Sequence, residues 1–267
     1  MKILLLCNSD LASNYALNLL LPRLQEHQLK LLLSSSVGGS NKRDPLLGRL
    51  KFFEQELFNQ LVFPLLDRGE GPGMMGFDGL SSFLAESVSI ENAINSPEAL
   101  ARIADFGPEL IISIRYGGIL KDTIIGLPDK GVINLHSGRL PEYRGVMATF
   151  WAMLAGDSEL GTTLHTIDDG SIDTGRVIAT TRRPLDREKS YLGNVLSLYP
   201  AAVDNIVDAV AQLSLGEVLQ CERQKQDGNY YSFPSNEDFK QFSNMGYELF
   251  NSQEILSFAS EHYLGSA

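Results

Sequence analysis

The sequence predicts an α/β fold, a mostly parallel sheet flanked by helices, with a small C-terminal extension. Three observations lead there. Strand-length runs such as Lys2–Cys7, Leu29–Leu33 and Leu110–Ile114 are almost wholly apolar, as expected of strands buried on both faces. Helical patterns alternate with strands to about residue 181, the order required by a parallel sheet with crossover helices. The chain has 267 residues, 43% hydrophobic and 21% charged, ordinary for a globular protein and long enough for one large domain or a domain with an appendage. We divide it into a main part, 1–190, and a helical and hairpin extension, 191–267, packed on it.

Taken in order, Lys2–Cys7 is the first strand, and Asn8-Ser9-Asp10 caps a helix from about Leu11 to Leu20. The turn between them has no glycine, so the Gly-x-Gly-x-x-Gly of a dinucleotide-binding fold is missing. Leu29–Leu33 is a second strand, followed by a Ser/Gly loop at Ser34–Asn41. Leu47–Leu61 has helical spacing, with Leu50, Phe53, Leu57 and Leu61 on one stripe, and Pro64 is expected to close it. Asp67–Gly79 carries five glycines and a proline; it either borders a substrate entrance or is a plain surface connection. Val88–Ile90 is a short strand, and Ser96-Pro97-Glu98 opens a helix through Leu100, Ile103 and Ala104. Leu110–Ile114 is a further strand, and Gly117-Gly118 permits close backbone approach. Later elements are a helix at about Met147–Leu154 holding the only tryptophan, Trp151, and strands at Thr162–Ile167 and Val177–Thr181. A long helix follows at Val195–Leu213 with Pro200 near its start, then an irregular or hairpin stretch at Gln220–Ser232. Ser235–Phe242 is a capped helix, and Phe250–Tyr263 a final short one.

Two loops carry the chemistry. Gly131-Val-Ile-Asn-Leu-His-Ser-Gly-Arg-Leu-Pro-Glu-Tyr-Arg-Gly145 begins as a buried strand, and Asp168-Asp-Gly-Ser-Ile-Asp-Thr-Gly175 is made of turn formers and carboxylates. Side chains two apart on a strand share a face, so Asn134 and His136 are delivered together. With Asp173 beside them, such a set orients an acyl donor, stabilises an oxyanion and moves a proton.

Each residue has a plainer alternative. His136 alone would read as a structural histidine, Asn134 as a strand-end amide bonded to backbone, and Asp173 as a turn residue. Tyr143, Arg144 and Gly145 either sit on the surface or grip a phosphate or carboxylate of a substrate. His165 with Asp168 and Asp169 raises a divalent-metal site, but no short-range His or Cys pair supports one, and no metal is expected. A Ser/His/Asp hydrolase is disfavoured, since Gly-x-Ser-x-Gly is absent and Ser137 adjoins His136.

Asn134-Leu-His136, Gly138-Arg-Leu-Pro-Glu-Tyr-Arg-Gly145 and Ile172-Asp-Thr-Gly175 together resemble the folate-dependent formyltransferases. The resemblance is strong from about Pro108 to Ile178 and fades after about residue 190. It implies a Rossmann-like, formyltransferase-type sheet in a catalytic domain at 1–190, with Asn134, His136 and Asp173 as the catalytic trio. It also implies N10-formyltetrahydrofolate as co-substrate, its pterin lying against Gly118, Ile119 and Leu120 and against the loop of Ile167, Asp168, Asp169 and Ile172. The implied reaction formylates an amine. Arg139 in the loop, a stretch from Gly161 to Asp173 one residue longer, and the first turn without glycines depart from the family pattern. The last counts against glycinamide ribonucleotide as acceptor.

Methionyl-tRNA is disfavoured by the acidic balance, net charge -11, and by the roughly 80 residues after the catalytic part, too few for an RNA-binding barrel. A formyltetrahydrofolate hydrolase would carry an N-terminal regulatory domain. The expected acceptor is a small-molecule amine: first an amino-sugar nucleotide, then an amino-acid-like or hydroxylated amine, then glycinamide ribonucleotide. Rivals of other classes are a non-catalytic folate- or nucleotide-binding protein on this fold and a metal-dependent hydrolase using His136, His165 and Asp173. No nucleic acid and no membrane is expected, since apolar runs such as Ile3–Cys7 are far too short to span a bilayer. Two distant cysteines, Cys7 and Cys221, and a first strand with no signal peptide point to the cytoplasm. Tyr230, Tyr231, Phe233, Phe239 and Phe242 either pack on the main domain, the favoured outcome, or form a homodimer face.

Overall fold

The computed structural model describes residues 1–35, 44–66, 73–225 and 228–265. Most of the loop expected at Ser34–Asn41 and part of the one at Asp67–Gly79 lie outside the described residues. The strands are β1 (Lys2–Asn8), β2 (Gln28–Ser34), β3 (Ser89–Ile90), β4 (Leu110–Ile114), β5 (Val132–His136), β6 (Tyr143–Gly145), β7 (Glu159–Thr166), β8 (Val177–Pro184) and β9 (Asn229–Tyr231). The helices are α1 (Leu11–Leu20), α2 (Pro45–Lys51), α3 (Phe63–Leu66), α4 (Pro97–Phe106), α5 (Asp122–Ile125), α6 (Ala148–Leu154), α7 (Tyr191–Ser214), α8 (Asn236–Asn244) and α9 (Ser252–His262).

One seven-stranded sheet runs in the order β3-β2-β1-β4-β5-β7-β8. The pairings from β3 through β5 are parallel; β7 and β8 close the edge antiparallel. The strands β1, β2, β4 and β5 are buried on both faces, as their unbroken apolar runs require, whereas the edge strands β3 and β8 are more open. Ile3, Leu5 and Cys7 join the larger core cluster, while Leu4 and Leu6 join the other with Ile111, Ile103 and Phe106. Strand order reverses between β1 and β4, and at such a switch point the carboxyl ends of the strands leave a crevice. The candidate site lies there.

Local chemistry explains the element ends. Asp10 caps α1 by accepting from the Ser13 N–H at 2.7 Å. Ser96 caps α4, Pro97 occupies its first turn, and Gly107 ends it at φ 64°. Two π-helical turns, Phe52–Glu56 and Phe58–Val62, join α2 to α3, so the helix expected at Leu47–Leu61 runs on and Pro64 lies inside α3. Helix α7 begins at Tyr191, earlier than expected, capped by Ser190. Pro200 therefore sits in its interior, at an exposed position. Helix α7 packs against α1, β7 and β8.

The stretch expected to be irregular or a hairpin pairs elsewhere. Strand β9 lies parallel to β6, with Gly145 opposite Tyr231, so the C-terminal part of the chain adds to the loop that follows β5. Among the aromatics of this region, Phe239 and Phe242 pack on Phe150, and Tyr231 stacks between Trp151 and Tyr143.

Candidate active site

A cavity of about 930 Å³ opens at the switch point. Asn134 and His136 reach it from β5, His165 from β7 and Asp173 from the following loop. The antiparallel register sets Asn134 opposite His165 and His136 opposite Thr163. A pairing one residue out of step would turn both side chains of β5 away from the cavity.

The hydrogen bonds fix ring orientations. His136 donates Nε2–H to the Tyr143 carbonyl at 2.7 Å, which leaves Nδ1 as the nitrogen that gains or loses a proton. That Nδ1 lies 3.5 Å from Asp173 Oδ2. The same oxygen accepts the Gly145 N–H at 2.8 Å, and Asp173 Oδ1 lies 3.5 Å from His165 Nε2. His165 gives Nδ1–H to the Thr166 carbonyl at 2.8 Å, so its neutral form accepts the Asn134 amide N–H at 3.0 Å on Nε2. Burial raises the Asp173 carboxyl, but the His136 charge, the neighbouring His165 ring and the Gly145 N–H outweigh it. They hold that carboxyl at about 2. Asp173 has φ 53°, a left-handed conformation that aspartate tolerates better than most side chains.

The structure thus brings Asn134, His136 and Asp173 together and adds His165 to them. Of the residues expected beside a pterin, Gly118, Ile119, Leu120, Ile167, Asp169 and Ile172 line the cavity. Asp168 does not; its carboxylate is held outside by Arg176 and Thr166. Of the residues expected to grip a substrate, Gly145 lines the cavity, whereas Tyr143 and Arg144 do not. The Tyr143 hydroxyl bonds Asp157 at 2.8 Å, and Arg144 bonds the Gly228 carbonyl at 2.8 Å. Asp157, which Arg139 also meets, pins this loop. Thr163 pins it from β7, donating to the Gly138 carbonyl at 2.8 Å and accepting the Leu140 N–H at 3.1 Å. His165 with Asp168 and Asp169 forms no ligand set, because Asp168 belongs to Arg176. Among the described residues no group of three or more His, Cys, Asp or Glu is placed to hold a metal.

A charged cluster in the cavity escaped the sequence reading. Arg115, just past β4 at φ 58°, donates Nε–H to Asp10 Oδ2 at 2.9 Å and Nη2–H to Glu54 Oε1 at 3.4 Å. A buried carboxylate, Asp10, and a partly buried one, Glu54, thus share one guanidinium. Burial pushes the Glu54 carboxyl up, Asp10 adds to the rise and Arg115 opposes it, leaving it at about 7. A carboxyl raised on folding stabilises the protein below its unfolded value of 4.5 and loses that contribution as pH climbs through about 7. Glu54→Gln, fixed in the neutral form, should therefore be more stable than wild type near pH 8 by about 1–3 kcal/mol, and equal to it near pH 4. Denaturant titrations at the two pH values test this, and a wild-type advantage near pH 8 would contradict it.

The family model described as formyl transferase matches residues 47–192. A methionyl-tRNA formyltransferase of Synechococcus sp. (strain JA-3-3Ab) is 26% identical over 179 residues, 65% of this chain and 55% of its own length. The chain spans about half the length of the curated relatives it matches. In fold it is similar to a sugar N-formyltransferase from Shewanella sp., with TM-score 0.57 and 16% identity, covering 90% of this chain and 86% of that one. It is also similar to an N-formyltransferase from Helicobacter canadensis solved with folinic acid and dTDP-3-aminofucose, with TM-score 0.54 and 15% identity, covering 89% and 72%.

Proposed function

The chain belongs to the formyl transferase family, and on that premise we propose that it transfers a formyl group from N10-formyltetrahydrofolate to the amine of a small molecule. The observation that carries this reading is the convergence of Asn134, His136 and Asp173 in one cavity. An amino-sugar nucleotide is the first-ranked acceptor, supported by the sugar N-formyltransferase folds that the chain resembles. An amino-acid-like or hydroxylated amine and glycinamide ribonucleotide rank behind it. Residues 1–190 are the catalytic part in this proposal, and 191–267 an extension whose α7 packs on β7 and β8.

The lining suits the donor. Ile119 and Ile172, 57% and 37% exposed, give the cavity aliphatic walls for a flat ring, and backbone from Asp169 to Ser171 supplies polar edges beside them. When the donor is bound, it supplies the formyl carbon that the acceptor amine attacks. Negative charge then grows on the formyl oxygen. In this proposal the second N–H of Asn134 and a proton on His136 Nδ1 stabilise it. Asp173 faces Nδ1 as the counter-charge. A carboxylate held at about 2 is too weak a base to keep the amine's proton, so Asp173 assists by charge and orientation. His136 Nδ1 would give its proton to the departing folate nitrogen and take up one from the amine in its place, so that no further reactant is needed.

An acceptor panel tests the proposal. Purified protein mixed with the donor and with amino-sugar nucleotides, hydroxylated amines, amino acids or glycinamide ribonucleotide should release tetrahydrofolate with one class only. Asn134→Ala should abolish that release. Absence of release with every amine, together with no folate binding, would favour a non-catalytic protein on the same fold.

A further inference from the structure

The residues assigned chemistry above all precede Gly175, yet both loops that carry them are held by a later stretch of chain. Val177 and Glu222 exchange two backbone hydrogen bonds of 2.8 Å. Two residues on, Gln224 Nε2 donates to the carbonyls of Asp173 at 3.0 Å and Gly175 at 2.6 Å. Further along, the Gly228 carbonyl accepts from Arg144 at 2.8 Å and the Tyr231 carbonyl accepts the Val146 N–H at 3.0 Å. Those two loops meet in one bond, Gly145 N–H to Asp173 Oδ2 at 2.8 Å. Residues 222–225 and 228–231 therefore grip both partners of the contact that aims the Asp173 carboxylate.

Asp173 needs such a hold. Its left-handed backbone is less populated than extended or helical conformations even for aspartate, so partners that hold it there fix the direction of its side chain. Within the loop the backbone carbonyls of Asp173 and Gly175 are fixed by a single side chain, and Gln224 itself does not line the cavity. We propose that Gln224 is a positioning residue for formyl transfer, holding Asp173 in register with His136 and Gly145. The inference rests on the reading of Asp173 as part of the formyl-transfer site. It also gives the stretch after α7 a share in catalysis.

The test uses the full chain, steady-state formyl transfer and thermal melts. Gln224→Met keeps the length of the side chain and removes its donors. Its kcat should fall on the order of 10- to 100-fold, the effect of a catalytic group displaced by about 1 Å. KM for donor and acceptor should stay within about two-fold, since ground-state binding is untouched, and the melting temperature should hold. Gln224→Lys, which restores donors at similar reach, should recover most of kcat. A Met variant with wild-type kcat overturns the inference alone. So does a fall in kcat that lysine does not recover, or one matched by a loss of thermal stability. A wild-type protein that formylates no amine overturns the underlying reading and this inference with it.

Discussion

Replacing His136 by alanine is expected to lower turnover by about 10³-fold while the protein still melts cooperatively. The imidazole is held through Nε2–H on the Tyr143 carbonyl, and its free Nδ1 points at Asp173. In the proposed mechanism alanine removes both an oxyanion donor and the group that passes the proton, two contributions of roughly two orders of magnitude each that share one side chain and so do not simply multiply. The fold should tolerate the change, because His136 packs at the end of β5 while the buried apolar strands carry the core. The comparison to make is kcat of wild type, His136→Ala and His136→Gln under saturating donor. A variant within about ten-fold of wild type would remove His136 from the mechanism.

Gly175→Ala should be as damaging for a different reason. A Cβ there would sit 1.6 Å from the Thr166 carbonyl oxygen and 2.6 Å from its carbon. Both are backbone atoms at the end of β7, so no side chain can swing aside. The Asp173 loop or the strand end must move, and either motion disturbs chemistry. The Thr166 carbonyl is the acceptor that orients His165, and Asp173 lies two residues from the clash. Overpacking of this kind costs about 3 kcal/mol. Turnover should fall with it. Gly48→Ala is the control: nothing lies within 4 Å of its Cβ, and an alanine inside α2 should add about 0.5–1 kcal/mol. Equal denaturation midpoints for the two alanine variants would show that the Thr166 contact is not a constraint.

The parts of this protein legible in its sequence are those with short-range causes. Strand periodicity put Asn134 and His136 on one face, and unbroken apolar runs gave inner strands buried on both sides. Asp10 and Ser96 marked helix starts through chemistry written within three residues of each cap. What stayed hidden depends on long-range pairing. His165 stands beside Asn134 only because β7 runs antiparallel to β5 in one register. Asp10, Glu54 and Arg115 come from three separated segments, and Gln224 reaches back 51 residues to Asp173. Tyr143 and Arg144 carried the chemistry expected of substrate ligands, yet partners from Asp157 and Gly228 turned them from the cavity. A loop's sequence says what its side chains can bond, whereas the fold decides what is within reach.

The most direct measurement follows the formyl carbon itself. Donor carrying an isotope-labelled formyl group would be incubated with the acceptor found in the panel, and products of wild type and His136→Ala analysed by mass spectrometry. The predicted result is label on the acceptor amine in step with tetrahydrofolate release, almost absent in the variant. Label appearing as formate regardless of the amine, or undiminished in the variant, would contradict a formyl transfer carried out by Asn134, His136 and Asp173.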